Sequence, residues 1–312
     1  MKLVLFQFAG GGDARPGLLT DRGVIDMTNA VKAGSTPQLT MQGIIDEFER
    51  LRPALQRLAA DGPAIKLDAV RLRAPLPRPG KILACIANYW EHAQREPRPL
   101  NMFLKNSDAV IGPGDTIMLP ESTEPWIFMH EAELALVIKG PAKKVSQADW
   151  RRAVFGYTAM IDVSARGEGR MTWKKGSWLG KSFDTFAPLG PCIVTADEVA
   201  DPNDLHIRFW NNGQLRHNYN TDDMEHRVPA LVEFATTIMT MNSGDIISCG
   251  TNHEGLGALQ DGEVVDIEVQ HVGRMTLNVV DPLKRSWERG VYMGEDSTNP
   301  EAVKRHRPKT AG

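Results

Sequence analysis

The sequence predicts a strand-rich α+β fold in which antiparallel sheet dominates. Short runs of apolar and β-branched residues recur beyond position 76, and turn signals separate them, at 112–115 (Gly-Pro-Gly-Asp), 211–213 (Asn-Asn-Gly) and 261–262 (Asp-Gly). Helical periodicity is confined to a few segments. Because 42% of the 312 residues are hydrophobic, the chain can bury a substantial core.

Three parts are expected along the chain. Residues 1–75 begin with a strand-like segment and later carry a helical pattern over 41–60, interrupted by Pro53. Three closely spaced prolines at positions 75 to 79 then mark a linker. We therefore expect a small N-terminal α+β domain at 1–75, a larger domain at 76–285 and a C-terminal tail at 286–312, which is rich in charged residues and proline.

Charge and hydropathy indicate the class of partner. A formal net charge of −3 gives no electrostatic footprint for nucleic acid or for an anionic membrane. No stretch approaches the roughly 20 apolar residues that span a bilayer, and the first residues lack a full signal-peptide core. We expect a cytoplasmic protein whose partners are small molecules.

Two acids in the run HEAELALVI (130–138) are the most informative feature. In a strand, alternate side chains share a face, so Glu131 and Glu133 project together beside Ala135 and Val137. Two like charges in an apolar strand repel each other, unless a proton or a cation lies between them. A magnesium ion would satisfy both acids and keep positions open for a ligand. The alternative is a solvated strand edge.

A third acid and a lysine follow. Asp162 stands near the end of an aromatic and β-branched run at 155–166, where it can complete a three-carboxylate set. Lys181 lies between Gly180 and Ser182, where the backbone can approach a ligand closely and the ammonium supplies a fixed positive charge.

The motifs HEAELALVI, IDVSAR and GKSFDTFAPLGP resemble, in order and spacing, those of the fumarylacetoacetate hydrolase family. The likeness runs from about residue 81 to about residue 282. It implies a mixed β-sandwich roll in the C-terminal domain and a homodimer. It also implies that Glu131, Glu133 and Asp162 bind magnesium, with manganese or calcium as alternatives, and that Lys181 orients and polarises the substrate.

A base that activates water is expected near residue 92. His92 and Glu96 share one face if their segment is helical, and either could carry a tuned pKa. The family pattern often places a glutamate three residues after the histidine, but Arg95 stands there in this chain. The two residues are our catalytic candidates together with Lys181.

Four further residues are candidates for substrate binding. Arg166 matches the family's arginine after the metal aspartate, and Thr251 matches its glycine-threonine turn. His253 departs from the usual turn sequence and is a candidate acid, base or substrate contact, with a loop histidine bonded to backbone as the alternative. Tyr89 also matches a family position, where packing is the alternative to substrate contact.

Together with these residues, the resemblance implies a magnesium-dependent catabolic hydrolase that cleaves a carbon–carbon bond in a β-dicarbonyl or acylpyruvate-type 2-oxo acid. One alternative is a lyase or isomerase, such as a hydratase or decarboxylase, acting on a 2-oxo-enoic acid. Another is a binder of oxo acids without catalytic activity.

Overall fold

The structure, a computed structural model, describes residues 1–91, 95–167, 171–172 and 178–288. Within them the chain forms three α-helices and nineteen β-strands. None of the described helices combines the length and apolar character needed to cross a membrane.

The helices are α1 (Pro37–Asp46), α2 (Phe48–Asp61) and α3 (Val228–Ile238). The strands are β1 (Lys2–Phe8), β2 (Gly11–Thr20), β3 (Gly23–Asp26), β4 (Ala64–Ile65), β5 (Val70–Arg73), β6 (Ile82–Cys85), β7 (Met102–Lys105), β8 (Val110–Ile111), β9 (Thr116–Met118), β10 (Ile127–Met129), β11 (Ala132–Ile138), β12 (Val154–Ile161), β13 (Ser164–Arg166), β14 (Ala187–Thr195), β15 (His206–Asn211), β16 (Gln214–Asn220), β17 (Ile246–Ser248), β18 (Val264–Val269) and β19 (Gly273–Val280).

Twelve of the described strands form one mixed sheet. Its order is β4-β3-β2-β1-β14-β12-β11-β17-β6-β7, with β5 beside β1 and β8 beside β14. Strand β1 runs antiparallel to β14 and pairs Lys2 with Val194 and Leu3 with Ile193. The N-terminal strands therefore extend the sheet of the rest of the chain. The domain boundary at residue 76 stays a prediction.

Strand β11 lies at the centre of the fold and is buried along its whole length. One face carries Leu134, which shares a core with Phe209 of β15 and Ile267 of β18 in the five-stranded sheet β16-β15-β18-β19-β9. The other face carries Val137, which shares a second core with Ile44 of α1. The five-stranded sheet thus covers one face of β11 and the helices cover the other, which confirms the strand-rich sandwich expected from the sequence.

The helical pattern at 41–60 forms two helices and not one. The break falls at Glu47, whose angles (φ −101°, ψ 10°) are not helical, whereas Pro53 lies inside α2. The new start at residue 48 lets Phe48 meet Phe155 of β12 edge to face, with ring centroids 5.0 Å apart. This aromatic pair packs the start of α2 against the sheet, while the proline ring removes one hydrogen-bond donor from the helix.

The first residues of the predicted tail pack against the body of the protein. Trp287 lies edge to face on Phe128, with centroids 5.6 Å apart, and its backbone N–H donates to Gln260 Oε1 at 3.0 Å. Residues 289–312 lie outside the described part of the chain.

Candidate metal centre and active site

The structure brings the three predicted carboxylates together. Glu131 directly precedes β11, Glu133 is the second residue of β11, and Asp162 directly follows β12. Pairing of the two strands places these ends side by side, and the Asp162 N–H donates to the Glu131 carbonyl at 2.8 Å. One oxygen from each carboxylate lies within 4.8 Å of the other two, and all three residues are buried.

Glu133 has the most demanding environment of the three. Its Oε2 accepts hydrogen bonds from the Gly250 N–H at 3.0 Å and from the Ser248 hydroxyl. Its Oε1 has no hydrogen-bond partner among the described residues. Burial, followed by the charges of Asp162 and Glu131, raises the pKa of this carboxyl well above its usual value. A buried carboxylate oxygen that has no hydrogen-bond donor and lies near two other carboxylates fits a hard divalent cation.

Glu131 is held as the charged form. Lys181 Nζ donates to Oε2 at 2.6 Å, the Ser164 hydroxyl donates to Oε1 at 3.1 Å, and Arg166 lies 3.6 Å away. Burial alone would raise the pKa of Glu131, but the charges of Lys181 and Arg166 outweigh it and lower the pKa to about 2. This acid is therefore ready to bind a cation at neutral pH.

Two buried lysines neutralise the site from one side. Lys181 Nζ also donates to Asp162 Oδ2 at 2.8 Å, and the charges of Asp162 and Glu131 raise the Lys181 pKa in spite of burial. Lys105, at the end of β7, donates to Asp162 Oδ1 at 2.6 Å and to the Lys181 carbonyl. Burial is the main cause that lowers the pKa of Lys105. The structure thus places Lys105 at the site.

The other predicted substrate contacts lie around this centre in different ways. Arg166 approaches Glu131 from the end of β13. Thr251 is buried directly after Gly250, whose N–H holds Glu133. Tyr89 is fully buried and packs edge to face on Tyr219, with ring centroids 5.1 Å apart, which favours the packing alternative for this residue.

The expected His92–Glu96 pair stays a prediction. His92 lies outside the described residues, and Glu96 is exposed. Arg95, which stands where the family has a glutamate, forms an ion pair with Glu225, and Arg98 Nε donates to the same carboxylate at 2.7 Å. The Glu225 side chain is fully buried, so this cluster ties the segment after residue 94 to the start of α3.

A different carboxylate–histidine pair is present in the described part of the chain. His253 Nδ1 bonds to Glu91 Oε1, and the His253 backbone N–H donates to the same oxygen at 2.8 Å. Sequence analysis selected His253 but missed Glu91, because nothing in its neighbourhood distinguishes it from an ordinary loop acid. The pair lies near the trio, since the charge of His253 contributes to the low pKa of Glu131.

Fold and site together define a strand-rich protein with a buried acid-and-lysine centre that could bind a divalent metal. The family described as "Fumarylacetoacetate (FAA) hydrolase C-terminal" matches residues 81–280, and the chain belongs to this family. The resemblance seen in the motifs is thereby confirmed.

Similar proteins carry more than one activity in their names. An oxaloacetate tautomerase of Xenopus laevis, described as mitochondrial, is 35% identical over 293 residues, which cover 90% of each chain. A maleylpyruvate hydrolase of Aquipseudomonas alcaligenes is 31% identical and covers 85% of this chain and 96% of its own. A crystal structure of maleylpyruvate hydrolase from a Sphingobium species, in complex with manganese(II) and pyruvate, matches with a TM-score of 0.78 at 34% identity, over 90% of this chain and 99% of its own.

Proposed function

We propose that the protein is a divalent-metal-dependent hydrolase that cleaves a carbon–carbon bond in an acylpyruvate-type 2-oxo acid. The observation that carries this proposal is the unpartnered Oε1 of Glu133 within the carboxylate trio. Two maleylpyruvate hydrolases among the similar proteins support the substrate class, and one of them binds manganese and pyruvate. The proposed substrates are small oxo acids.

Glu131, Glu133 and Asp162 would hold the metal, for which we propose magnesium, with manganese or calcium as alternatives. When bound, the cation would draw electron density from the keto and carboxylate oxygens of a 2-oxo acid. The chain's own part is to keep the acids in place. Lys181 fixes two of them through hydrogen bonds of 2.6 Å and 2.8 Å.

On the open side of the site, the chain offers donors to an anionic substrate. We propose that Arg166, with 19% of its side chain exposed, binds the substrate carboxylate together with the Thr251 turn and His253. Lys181 would add a fixed positive charge next to the reacting oxygens. For the activation of water, His92 and Glu96 are one candidate pair.

A tautomerase is the second candidate. The oxaloacetate tautomerase relative covers 90% of this chain, and the exposed position of Glu96 weakens the case for a water-activating pair. Tautomerisation needs the same metal site and a base but no hydrolytic water. A non-catalytic binder of oxo acids is the third candidate.

One assay separates these candidates. The full-length protein, treated with EDTA and reloaded with Mg²⁺ or Mn²⁺, is mixed with acylpyruvates and with oxaloacetate, and products are followed by ¹H NMR. Cleavage products support the hydrolase, and keto–enol interconversion alone supports the tautomerase. Metal-dependent ligand binding without turnover overturns both. A homodimer, a cytoplasmic location and a catabolic role stay predictions that this assay does not address.

A further inference from the structure

Glu91 and His253 form an enclosed acid–histidine pair, of which the proposed function has used only His253, as a substrate contact. The Glu91 side chain is 2% exposed and the His253 side chain is 14% exposed. Glu91 Oε1 accepts the backbone N–H of His253, so this oxygen acts as an acceptor, and the bond to Nδ1 is then donated by the imidazole. The hydrogen-bond pattern therefore places the ring proton on Nδ1 and leaves Nε2 with its lone pair.

A third residue fixes both loops that carry the pair. Asp223 Oδ2 accepts the Glu91 N–H at 3.1 Å and the Asn252 Nδ2 at 3.0 Å, and its carbonyl accepts the Trp90 N–H at 3.0 Å. Glu91 also has a positive φ of 54°, which residues other than glycine seldom adopt. Strained backbone of this kind, held by several hydrogen bonds, is concentrated at functional sites.

The imidazole lies beside the carboxylate centre. Gly250, whose N–H holds Glu133, is only three residues before His253, so their Cα atoms are at most about 11 Å apart. The ring is also near enough that, when protonated, it would lower the pKa of Glu131 and that of the buried His217. Its partial exposure leaves the ring open to a ligand.

We propose that His253 is the general base of this enzyme and that Glu91 is its positioning residue. The proposal rests on the proposed function. In tautomerisation, Nε2 takes a proton from C3 of the 2-oxo acid, and the C–H electron pair becomes the C2–C3 double bond of the enolate. The imidazolium then returns this proton to the C2 oxygen, which completes the enol and restores the neutral ring. Glu91 stabilises the transient positive charge on the ring.

In hydrolysis the same nitrogen takes a proton from water. The water oxygen forms a bond to the distal carbonyl carbon, the carbon–carbon bond breaks, and its electron pair passes to the carbon of the leaving enolate. That carbon takes up the proton from the imidazolium, so atoms and charges balance without any further reactant.

The first test needs no metal and no substrate. In ¹⁵N-histidine-labelled, EDTA-treated protein, long-range ¹⁵N–¹H spectra assign the His253 ring by comparison with His253→Gln. We expect a pyrrole-type Nδ1 and a pyridine-type Nε2, and we expect Glu91→Ala to abolish this pattern while Glu91→Asp retains it. A proton on Nε2 with Nδ1 bare in the wild type overturns the proposal.

The second test measures exchange of the C3 hydrogens of 2-oxobutyrate, pyruvate and an acylpyruvate in D₂O with Mg²⁺. We expect His253→Gln to slow exchange and turnover by about 100-fold or more, the usual contribution of a general base, with a larger effect on kcat than on KM. Glu91→Gln should slow exchange and turnover less than His253→Gln does. Glu91→Asp should retain more of this activity than Glu91→Gln. The exposed His271, changed to Asn, is the matched control and should behave like the wild type.

The outcomes separate the two proposals. A wild type that binds Mn²⁺ but neither exchanges nor turns over any of these acids overturns the proposed function and the base with it. An active wild type with an equally active His253→Gln overturns only the assignment of the base. Activity that is lost in His92→Asn but kept in His253→Gln transfers the role to His92. Mn²⁺ binding and circular dichroism of each variant show that a loss is not caused by unfolding.

Discussion

The Nζ of Lys181 lies 2.6 Å from Oε2 of Glu131, and both residues are almost completely removed from solvent. This ammonium, together with that of Lys105, balances the charges of Glu131 and Asp162. The third acid is Glu133, and its Oε1 has no hydrogen-bond donor among the described residues. The affinity of the site for a cation should therefore depend most strongly on Glu133.

Replacing Glu133 by Gln should weaken Mn²⁺ binding by more than about 100-fold, beyond the usual effect of an outer-shell partner. Its raised pKa favours the neutral acid in the metal-free protein, and an amide has nearly the same shape, so the fold should be retained. Electron paramagnetic resonance of free Mn²⁺ measures the affinity. Glu124→Gln, at an exposed acid, is the control. Wild-type affinity in Glu133→Gln would exclude Glu133 as a ligand.

Replacing Lys105 by Met should destabilise the protein by about 3–5 kcal/mol, because Asp162 is then left as a buried charge with one partner fewer. Urea unfolding in EDTA measures the loss. Adding Asp162→Asn removes the uncompensated charge, so the double variant should lose less than the sum of the single ones. Strict additivity would show that the two side chains do not interact.

Acid should destabilise the fold partly through a buried histidine pair. Burial lowers the pKa of His217 to about 3 and, together with the charge of His217, lowers that of His130 well below 6.5. The unfolded chain binds protons at both residues below pH 6.5, whereas the folded protein does not until far lower pH. The stability held above pH 6.5 is therefore lost as the pH falls toward 3, by at most about 1.4 kcal/mol per unit for each histidine.

Chemical unfolding between pH 4 and 8 measures this loss. A double variant, His130→Leu with His217→Leu, should show a smaller decrease in the free energy of unfolding over this range. His271→Leu, at an exposed position, should keep the wild-type slope. An unchanged slope in the double variant would mean that the pair takes up protons equally in the folded and unfolded states.

Arg95→Glu, which introduces the residue that the family pattern places there, should destabilise this protein. It removes one of the two guanidinium partners of the buried Glu225 and adds a like charge beside it. Because Arg95 is 28% exposed, we expect about 2 kcal/mol, less than for a fully buried pair. Thermal unfolding compares Arg95→Glu with Arg95→Gln, and Arg95→Gln should lose less stability. Equal losses would show that charge repulsion is unimportant.

The parts of the fold that depend on neighbouring residues could be predicted from the sequence. The alternation in β11 places Ala135 and Val137 with one core and Leu134 with the other, because a period of two depends only on consecutive positions. The two acids at its start follow from the same alternation. Asp162 joined them as expected, since β12 is the antiparallel neighbour of β11.

The parts that depend on distant loops could not be predicted. Glu91 and His253 are 162 positions apart, and they meet because Asp223 holds both loops. No periodic pattern records such a contact, so the sequence indicated His253 without its partner. The same reason hid Glu225, which binds Arg95 from 130 positions away.

The pairing of β1 with β14 has a consequence for biosynthesis. Lys2 and Val194 are roughly 190 positions apart, so β1 leaves the ribosome long before the strand that completes one of its edges has been made. Strand β5 covers Leu5 to Phe8 on the same side of β1 much earlier, so only Lys2 and Leu3 wait for β14. The amino-terminal end of β1 is therefore the last part of this strand to gain its pairing when the protein is made.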